Sequence, residues 1–288
     1  MNNLMAKLVS LIPDKIYLKM RYKSHTGKKL NLKSPKRFNE KLQWLKLYNR
    51  CPEYTVMVDK VAVKDYVASL IGEEYVIKTL GVWDNPDDID FSALPDKFVI
   101  KCNHNSGRGM YICRDKSKMD VEKVKRELKD GLGQDYYACD REWPYKNVPR
   151  KIIAEEFLDD GTGRDLNDYK VFNFNGEPRI IQVDFDRFSG HKKNLYTTDW
   201  QLCDFSFNYP AHPEIEIPRP ETLSEMLRLS KILAKDMPYV RTDFYSVKGK
   251  LYFGEITFFP ASGYGKFSPD EYDFKLGELI TLPKKKKR

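Results

Sequence analysis

The sequence predicts an α+β fold, and three patterns predict it. Apolar residues recur at helical spacing in two early stretches, first Leu4, Leu8, Leu11 and Ile12, then Phe38, Leu42, Leu45 and Tyr48. Two β-hairpins stand out further on, Tyr169 to Phe185 turning at Asn175-Gly176, and Arg241 to Phe258 turning near Gly249. Between them Pro218 to Lys235 reads as helix.

Taken in order, residues 1–50 form a helical segment whose basic residues fill the faces away from the apolar stripe, expected to cap the main domain; a membrane-surface anchor is the alternative. Residues 51–150 read as a smaller α+β lobe. It has a helix from Tyr54 to Leu70, strands Val76 to Trp83 and Lys97 to Cys102 separated by the Asn-Pro-Asp-Asp turn at 85–88, and a helix near 120–130. Residues 151–280 read as a larger lobe. It opens with strand Ile152 to Leu158, which enters an Asp-Asp-Gly-Thr-Gly loop, and continues through both hairpins. Residues 281–288 are a basic tail.

Composition narrows the function. With 41% hydrophobic and 32% charged residues and a mean hydropathy of −0.62, most of the chain is a soluble globular protein and not a disordered one. The formal charge of +8 implies attraction to polyanions. Nucleic acid is not the expected partner, because the basic residues are interleaved with 42 acidic ones except at the two ends, and no RNA-binding signature or zinc-finger spacing is present. The basic ends leave open a peripheral contact with an anionic membrane. Five scattered cysteines without a Cys-x-x-Cys pair read as reduced thiols in a cytoplasm, no signal peptide is visible, and the apolar runs fall far short of the ~20 residues of a membrane span.

Two constellations carry chemistry. The strand Phe98-Val99-Ile100-Lys101 runs into Asn103-His104-Asn105-Ser106-Gly107-Arg108-Gly109, and a strand-end lysine beside a glycine loop suits phosphate: backbone N–H groups close over the oxygens and the lysine offsets charge. A plain hairpin turn is the alternative, and neither the P-loop nor the dinucleotide pattern is present. In the second hairpin a three-residue loop at 247–249 places Arg241, Asp243, Glu255 and Thr257 on one face and Phe244, Tyr252, Ile256 and Phe258 on the other. Two carboxylates so placed can hold a hard cation, and the arginine can steady developing negative charge; a surface ion pair is the plain alternative.

The order Asp59-Lys60, Phe98 to Lys101, glycine loop, Ile153-Ala154-Glu155-Glu156-Phe157-Leu158, Asp168-Tyr169-Lys170, Arg241-Thr242-Asp243 and Gly254-Glu255-Ile256-Thr257 resembles the ATP-grasp superfamily. More narrowly it is similar to the branch named after a teichuronopeptide biosynthesis protein (TupA-like), whose members sit in cell-surface polysaccharide pathways and are often labelled glycosyltransferases. The resemblance covers roughly residues 35 to 270. It implies an ATP-grasp fold, two α+β lobes enclosing ATP. It further implies that Lys60 and Lys101 meet the ATP phosphates, with Lys64 nearly as good a candidate, and that Ser106, Gly107 and Gly109 belong to the mobile phosphate loop. Glu155, Glu156, Phe157 and Leu158 would form the adenine hinge, with Asp159 or Asp160 at the ribose. Lys170 would be a further phosphate contact, Asp243 and Glu255 magnesium ligands, and Arg241 the group stabilising phosphoryl transfer. Thr257 stands where many ATP-grasp ligases place an asparagine metal ligand, and only about fifty helix-like residues precede Asp59 where those ligases have a complete α/β domain.

The chemistry implied is attack of a carboxylate on the γ-phosphate of ATP to give an acyl phosphate and ADP, then amide formation with an amine. The carboxylate is expected to belong to a uronic acid of a surface glycan or its precursor, or to an amino acid. Arg187, His191, Lys192, Lys193 and Asn194, following a strand expected to border the cleft, are candidates to meet this anionic substrate, whereas His104 reads as a loop hydrogen-bonding residue. The rivals are a nucleotide-sugar glycosyltransferase with Asp184-Phe185-Asp186 as its metal motif, an ATP-grasp kinase, and a non-enzymatic binder of acidic polymer.

Overall fold

The computed structural model describes residues 11–187 and 190–285. Leu4 and Leu8 of the first predicted helix, and Lys286 to Arg288 of the tail, lie outside the described residues. In chain order the elements are α1 (Asp14–Thr26), α2 (Phe38–Tyr48), α3 (Glu53–Val58), α4 (Ala62–Ile71), β1 (Thr79–Trp83), β2 (Phe98–Cys102), β3 (Met110–Cys113), α5 (Val121–Leu132), α6 (Tyr136–Asp140) and β4 (Ile152–Glu156). Then follow β5 (Asp168–Phe174), β6 (Glu177–Phe185), β7 (Lys192–Thr197), β8 (Ser206–Phe207), α7 (Leu223–Leu233), β9 (Tyr239–Val247), β10 (Lys250–Thr257), β11 (Phe267–Ser268) and α8 (Glu271–Glu278). Helices and antiparallel sheets together make the α+β class that the sequence predicts.

The chain divides into two compact units. One comprises residues 51–139 and 143–159, the other residues 1–50, 140–142 and 160–288. The sequence-derived boundary at 151 assigns Ile152–Glu156 to the later lobe, but β4 hydrogen-bonds between β1 and β2 and so belongs to the earlier unit. In that unit the strand order is β1-β4-β2-β3. Phe98, Ile100, Ile152 and Ala154 face a core shared with Val124 and Leu128 of α5, whose N-terminus is capped by the Asp120 carboxylate accepting from the Lys123 N–H at 2.9 Å. The single helix expected over 54–70 is broken at Asp59, whose extended backbone ends α3 while its carboxylate accepts the Val61 N–H at 2.9 Å and the Asn103 amide at 2.7 Å. An aspartate with two donors at hand favours this capped break over helix continuation.

The second unit is built on a five-stranded antiparallel sheet, order β10-β9-β5-β6-β7. The β5–β6 hairpin turns at Asn175-Gly176, both left-handed, as the sequence predicts. On one face α7 covers Val171, Thr242 and Phe244, and the Ser230 hydroxyl of α7 donates to Asn173 Oδ1 at 2.8 Å and lies 2.6 Å from the Thr242 hydroxyl. On the opposite face, Tyr239 meets Phe38 of α2 edge-on with 4.9 Å between the rings, Phe174 meets Phe38 at a tilt, and Phe172 packs against Tyr239. Nearer the other end of that face the aromatic side chains give way to charged ones.

Helix α2 corrects the expectation that its basic residues lie on outer faces. Lys46 is fully buried, and its ammonium donates to the carbonyls of Asp140 at 2.8 Å and Ser262 at 2.9 Å. Gln43 adds two bonds to the carbonyls of Ser262 and Gly263, so α2 clamps a stretch after β10 in which Ala261 and Ser262 hold left-handed backbone. Burial, only partly offset by Glu142 and Asp140, lowers the Lys46 ammonium from its ordinary 10.5 to about 8. The unfolded chain then binds more protons between pH 8 and about 10.5, so this group's contribution makes stability rise with pH through that window. The stability difference between wild type and Lys46→Met, followed by denaturant unfolding at a series of pH values, should therefore grow in favour of wild type by up to about 3 kcal/mol from pH 8 to 10.5. A pH-independent difference would contradict the buried, charge-destabilised lysine.

Candidate functional site

In the first unit the focus is Glu155, nearly the last residue of β4. It is 6% exposed, and its two carboxylate oxygens are met by Lys64 of α4 at 2.6 Å and, at closer range, by Lys101 of β2. The placement follows from register: Glu155 pairs with Val99, two residues before Lys101, and α4 brings Lys64 to the same carboxylate. Burial works to raise the Glu155 carboxyl, but the two ammonium groups outweigh it and hold it below the usual range. Two lysines on one carboxylate leave an excess positive charge, the condition a polyphosphate would meet. Lys60 is directed elsewhere, its ammonium donating to the Asn105 carbonyl at 2.6 Å at the root of the glycine loop.

That loop joins β2 to β3. Asn103 and Asn105 are buried and tie it down, Asn105 donating to the Gly131 carbonyl and to Gln134 at 3.1 Å. Ser106 and Gly107 are exposed at its tip, and the Gly109 carbonyl closes the loop by accepting the Cys102 N–H at 2.8 Å. His104 is buried against the Gln134 carbonyl at 3.1 Å, in the hydrogen-bonding role expected of it. Of the residues expected at an adenine hinge and ribose, Glu156 is exposed and its N–H already bonds the Lys78 carbonyl at 3.0 Å, Phe157 and Leu158 are half-buried, and Asp159 pairs with Lys97 at 3.0 Å. Asp160 falls in the second unit, where its carboxylate caps a local turn by accepting the Thr162 N–H at 2.8 Å.

In the second unit the charged face of the sheet brings together most of the remaining candidates. Lys170 is 5% exposed and lies between two buried carboxylates, 2.5 Å from Asp168 and 2.6 Å from Asp243. The Arg241 guanidinium makes a two-pronged contact with Asp243, both bonds 2.7 Å, and reaches Glu255 and the Thr257 hydroxyl at 3.0 Å each. Burial weakens the hold of Arg241 and Lys170 on their protons, but the adjoining carboxylates more than offset it, so both stay charged. Arg187 joins the cluster at Asp168, 2.8 Å away, and Lys193 lies 3.8 Å from Asp184. His191 comes within 3.2 Å of Asp184 without hydrogen-bond geometry. Asn194 does not join them: it pairs with Val183 on the opposite face, fully buried, donating to the carbonyls of His212 and Ile215.

The four residues of the second hairpin converge by a different route from the one the sequence predicts. The loop has two residues, Lys248 and Gly249, both left-handed (φ 52° and 75°), so that Val247 pairs with Lys250 and Phe244 with Phe253. Leu251 and Phe253, rather than Tyr252, are therefore the buried residues of that half. Continued unbroken, this register would send Asp243 and Glu255 to opposite faces. A β-bulge between Phe253 and Ile256 shifts it by one, after which Ile256 pairs with Thr242 and Thr257 with Arg241. Gly254 fits the bulge, since a Cβ there would come 3.2 Å from the Asp243 carbonyl oxygen.

Among the described residues no group of three or more His, Cys, Asp or Glu side chains is placed to hold a metal ion. The oxygen donors Asp243, Glu255 and Thr257 suit instead the way magnesium is commonly held, by one or two carboxylates with substrate phosphates completing the shell. Asp243 has both oxygens engaged by Arg241 and Lys170, while the Glu255 side chain is 41% exposed. Asp168 Oδ1 and Gln182 Oε1 are buried on the same face without hydrogen-bond partners, so acceptor capacity remains beside the lysine. The Asp184-Phe185-Asp186 element does not converge on one point: Asp184 accepts from Gln182 at 2.5 Å, while Asp186 has left-handed backbone and pairs with Lys192 at 3.1 Å.

This arrangement separates structural from chemical roles. Lys170→Met removes the cation between two buried carboxylates and should destabilise the protein by about 3–5 kcal/mol. Glu255→Gln, at a half-exposed position, should leave the ligand-free melting temperature nearly unchanged. Thermal unfolding of both variants checks this; a Lys170→Met protein that melts like wild type would contradict the role of Lys170 as the charge-balancing group.

No curated protein matches the chain. Solved structures similar to it include a D-alanine–D-alanine ligase from Bacillus anthracis complexed with ATP (15% identity, TM-score 0.45), which aligns over 78% of this chain and 63% of its own. The D-alanine–D-alanine ligase from Helicobacter pylori is 19% identical at TM-score 0.42, covering 85% and 69% of the two chains. The ATP-grasp ligase PsnB complexed with minimal precursor, Mg and ADP is 13% identical at TM-score 0.41, covering 83% and 64%. The chain thus spans less than two thirds of the length of the Bacillus anthracis ligase. A family model described as TupA-like ATP-grasp matches residues 40–281, and the chain belongs to that family.

Proposed function

We propose that the protein is an ATP-dependent carboxylate-amine ligase. The observation that supports this reading most is the convergence of Arg241, Asp243, Glu255 and Thr257 beside Lys170 on one face of the sheet. In the other unit, Lys101, Lys64 and Lys60 surround a single buried carboxylate and a glycine loop, an excess of cations suited to phosphate oxygens. Glu255, Asp243 and the Thr257 hydroxyl are the residues to hold magnesium, which when bound offsets charge on the ATP phosphates. Arg241 then stabilises charge gathering on the transferred phosphoryl oxygens, its orientation set in advance by the two-pronged contact with Asp243.

The reaction follows from these groups without an enzyme nucleophile. A substrate carboxylate oxygen forms a bond to the γ-phosphorus as the bond to the ADP oxygen breaks, giving an acyl phosphate. The amine then adds to the acyl carbon, phosphate departs and the amine loses a proton, leaving an amide. Arg187 and Lys193 are the cations we assign to the anionic substrate, a uronic acid of a cell-surface polysaccharide or its precursor, or an amino acid; Asn194 is left out because its amide serves the fold.

With ATP, magnesium, a panel of carboxylates and hydroxylamine, a substrate should yield hydroxamate and ADP in equal amounts with release of phosphate. Lys101→Ala and Glu255→Gln should each lower turnover by about two orders of magnitude or more. Formation of AMP and pyrophosphate would replace the acyl-phosphate chemistry by adenylation. ADP formation with phosphate transferred to a hydroxyl, and no hydroxamate, would make the protein a kinase.

A further inference from the structure

Helix α1 has two apolar faces, and folding accounts for only one. Leu18 and Tyr22, four residues apart, are wholly buried in the second unit. Ile16 and Met20, also four residues apart, point the other way and are 52% and 58% exposed, and Leu11 just before the helix is 78% exposed. Lys15, Lys19 and Lys23 run alongside this ridge, all exposed. From Leu11 to Lys36 the chain carries eight Lys or Arg against one acidic residue, Asp14, which is engaged by Arg50 at 2.6 Å.

Beside the ridge lies a pocket of about 610 Å³ lined by Lys15, Lys19, Lys29, Lys33 and Lys285, with no acidic side chain among the described residues in its wall. Lys285 is held over the Tyr48 ring at 4.2 Å. An apolar ridge next to an uncompensated basic pocket matches a surface whose outer layer is anionic and whose next layer is apolar. A nucleic acid or a soluble acidic polymer would satisfy the lysines but would offer Leu11, Ile16 and Met20 nothing.

We propose that this face of the second unit docks on an anionic lipid bilayer, Ile16 and Met20 entering the headgroup boundary and the pocket lysines meeting lipid phosphates. The docking face shares no residue with the charged sheet face and does not depend on the ligase reading. Co-sedimentation of the full chain with vesicles tests it. The protein should pellet with phosphatidylcholine vesicles containing phosphatidylglycerol, not with phosphatidylcholine alone, and salt should release it. Lys15→Glu/Lys19→Glu/Lys29→Glu should weaken binding by about tenfold or more, and Ile16→Ser/Met20→Ser by about tenfold, both with wild-type melting temperatures. Equal binding to both vesicle types, or none to the anionic ones, overturns the proposal. So does an Ile16→Ser/Met20→Ser protein that binds anionic vesicles and heparin as wild type does, which would mark a site for soluble polyanions.

Discussion

The charged face of the five-stranded sheet depends on one condition, that no charge buried there is left without an opposite partner. Lys170, Asp168 and Asp243 are buried and Arg241 is largely so, and isolated charges in such positions would cost several kcal/mol apiece. Pairing makes burial tolerable and at the same time fixes geometry. The guanidinium grips Asp243 with two bonds and extends to Glu255 and Thr257, so three side chains are oriented by one planar group. A cluster of this kind stabilises the fold less than an apolar core of equal volume would. It leaves in place a preorganised field able to act on a charged ligand, which is the property phosphoryl transfer uses.

Glu155 serves the first unit in a comparable way but with the opposite balance. One carboxylate gathers two lysines from different elements, α4 and β2, and the excess of positive charge is the feature that suits phosphate. In both units the candidate site residues stand at sheet positions where alternate residues turn away from the core: Phe98, Ile100 and Cys102 point inward along β2 while Lys101 does not. Helix α2 contributes from beneath, since the bonds from Gln43 and Lys46 hold the left-handed stretch that follows β10, the strand bearing Glu255 and Thr257.

The local patterns legible in the sequence were those with a strong physical period. The Asn175-Gly176 turn, the helix capped by Asp120 and the alternation in β2 each follow from residue types close together in the chain. What eluded the sequence required long-range pairing. Nothing local to Lys46 distinguishes it from its solvated neighbours until Asp140 and Ser262 supply their carbonyls. Asn194 likewise resembles the basic residues around it until strand register turns it to the other face. In the second hairpin Gly249 fits a two-residue or a three-residue loop, and in an unbroken ladder only the latter puts Asp243 and Glu255 together. The protein uses the shorter turn and corrects the parity with a bulge at Gly254-Glu255, a device a glycine within a strand signals.

The proposed function requires this bulged hairpin to hold the metal that accompanies ATP. A crystal structure of the protein grown with manganese and a non-hydrolysable ATP analogue, with anomalous scattering to locate the ion, tests it most directly. The expected result is an anomalous peak beside the carboxylates of Glu255 and Asp243, with Arg241 still on the same face. Manganese bound away from both carboxylates, or the analogue bound with no ion at the hairpin, would contradict it.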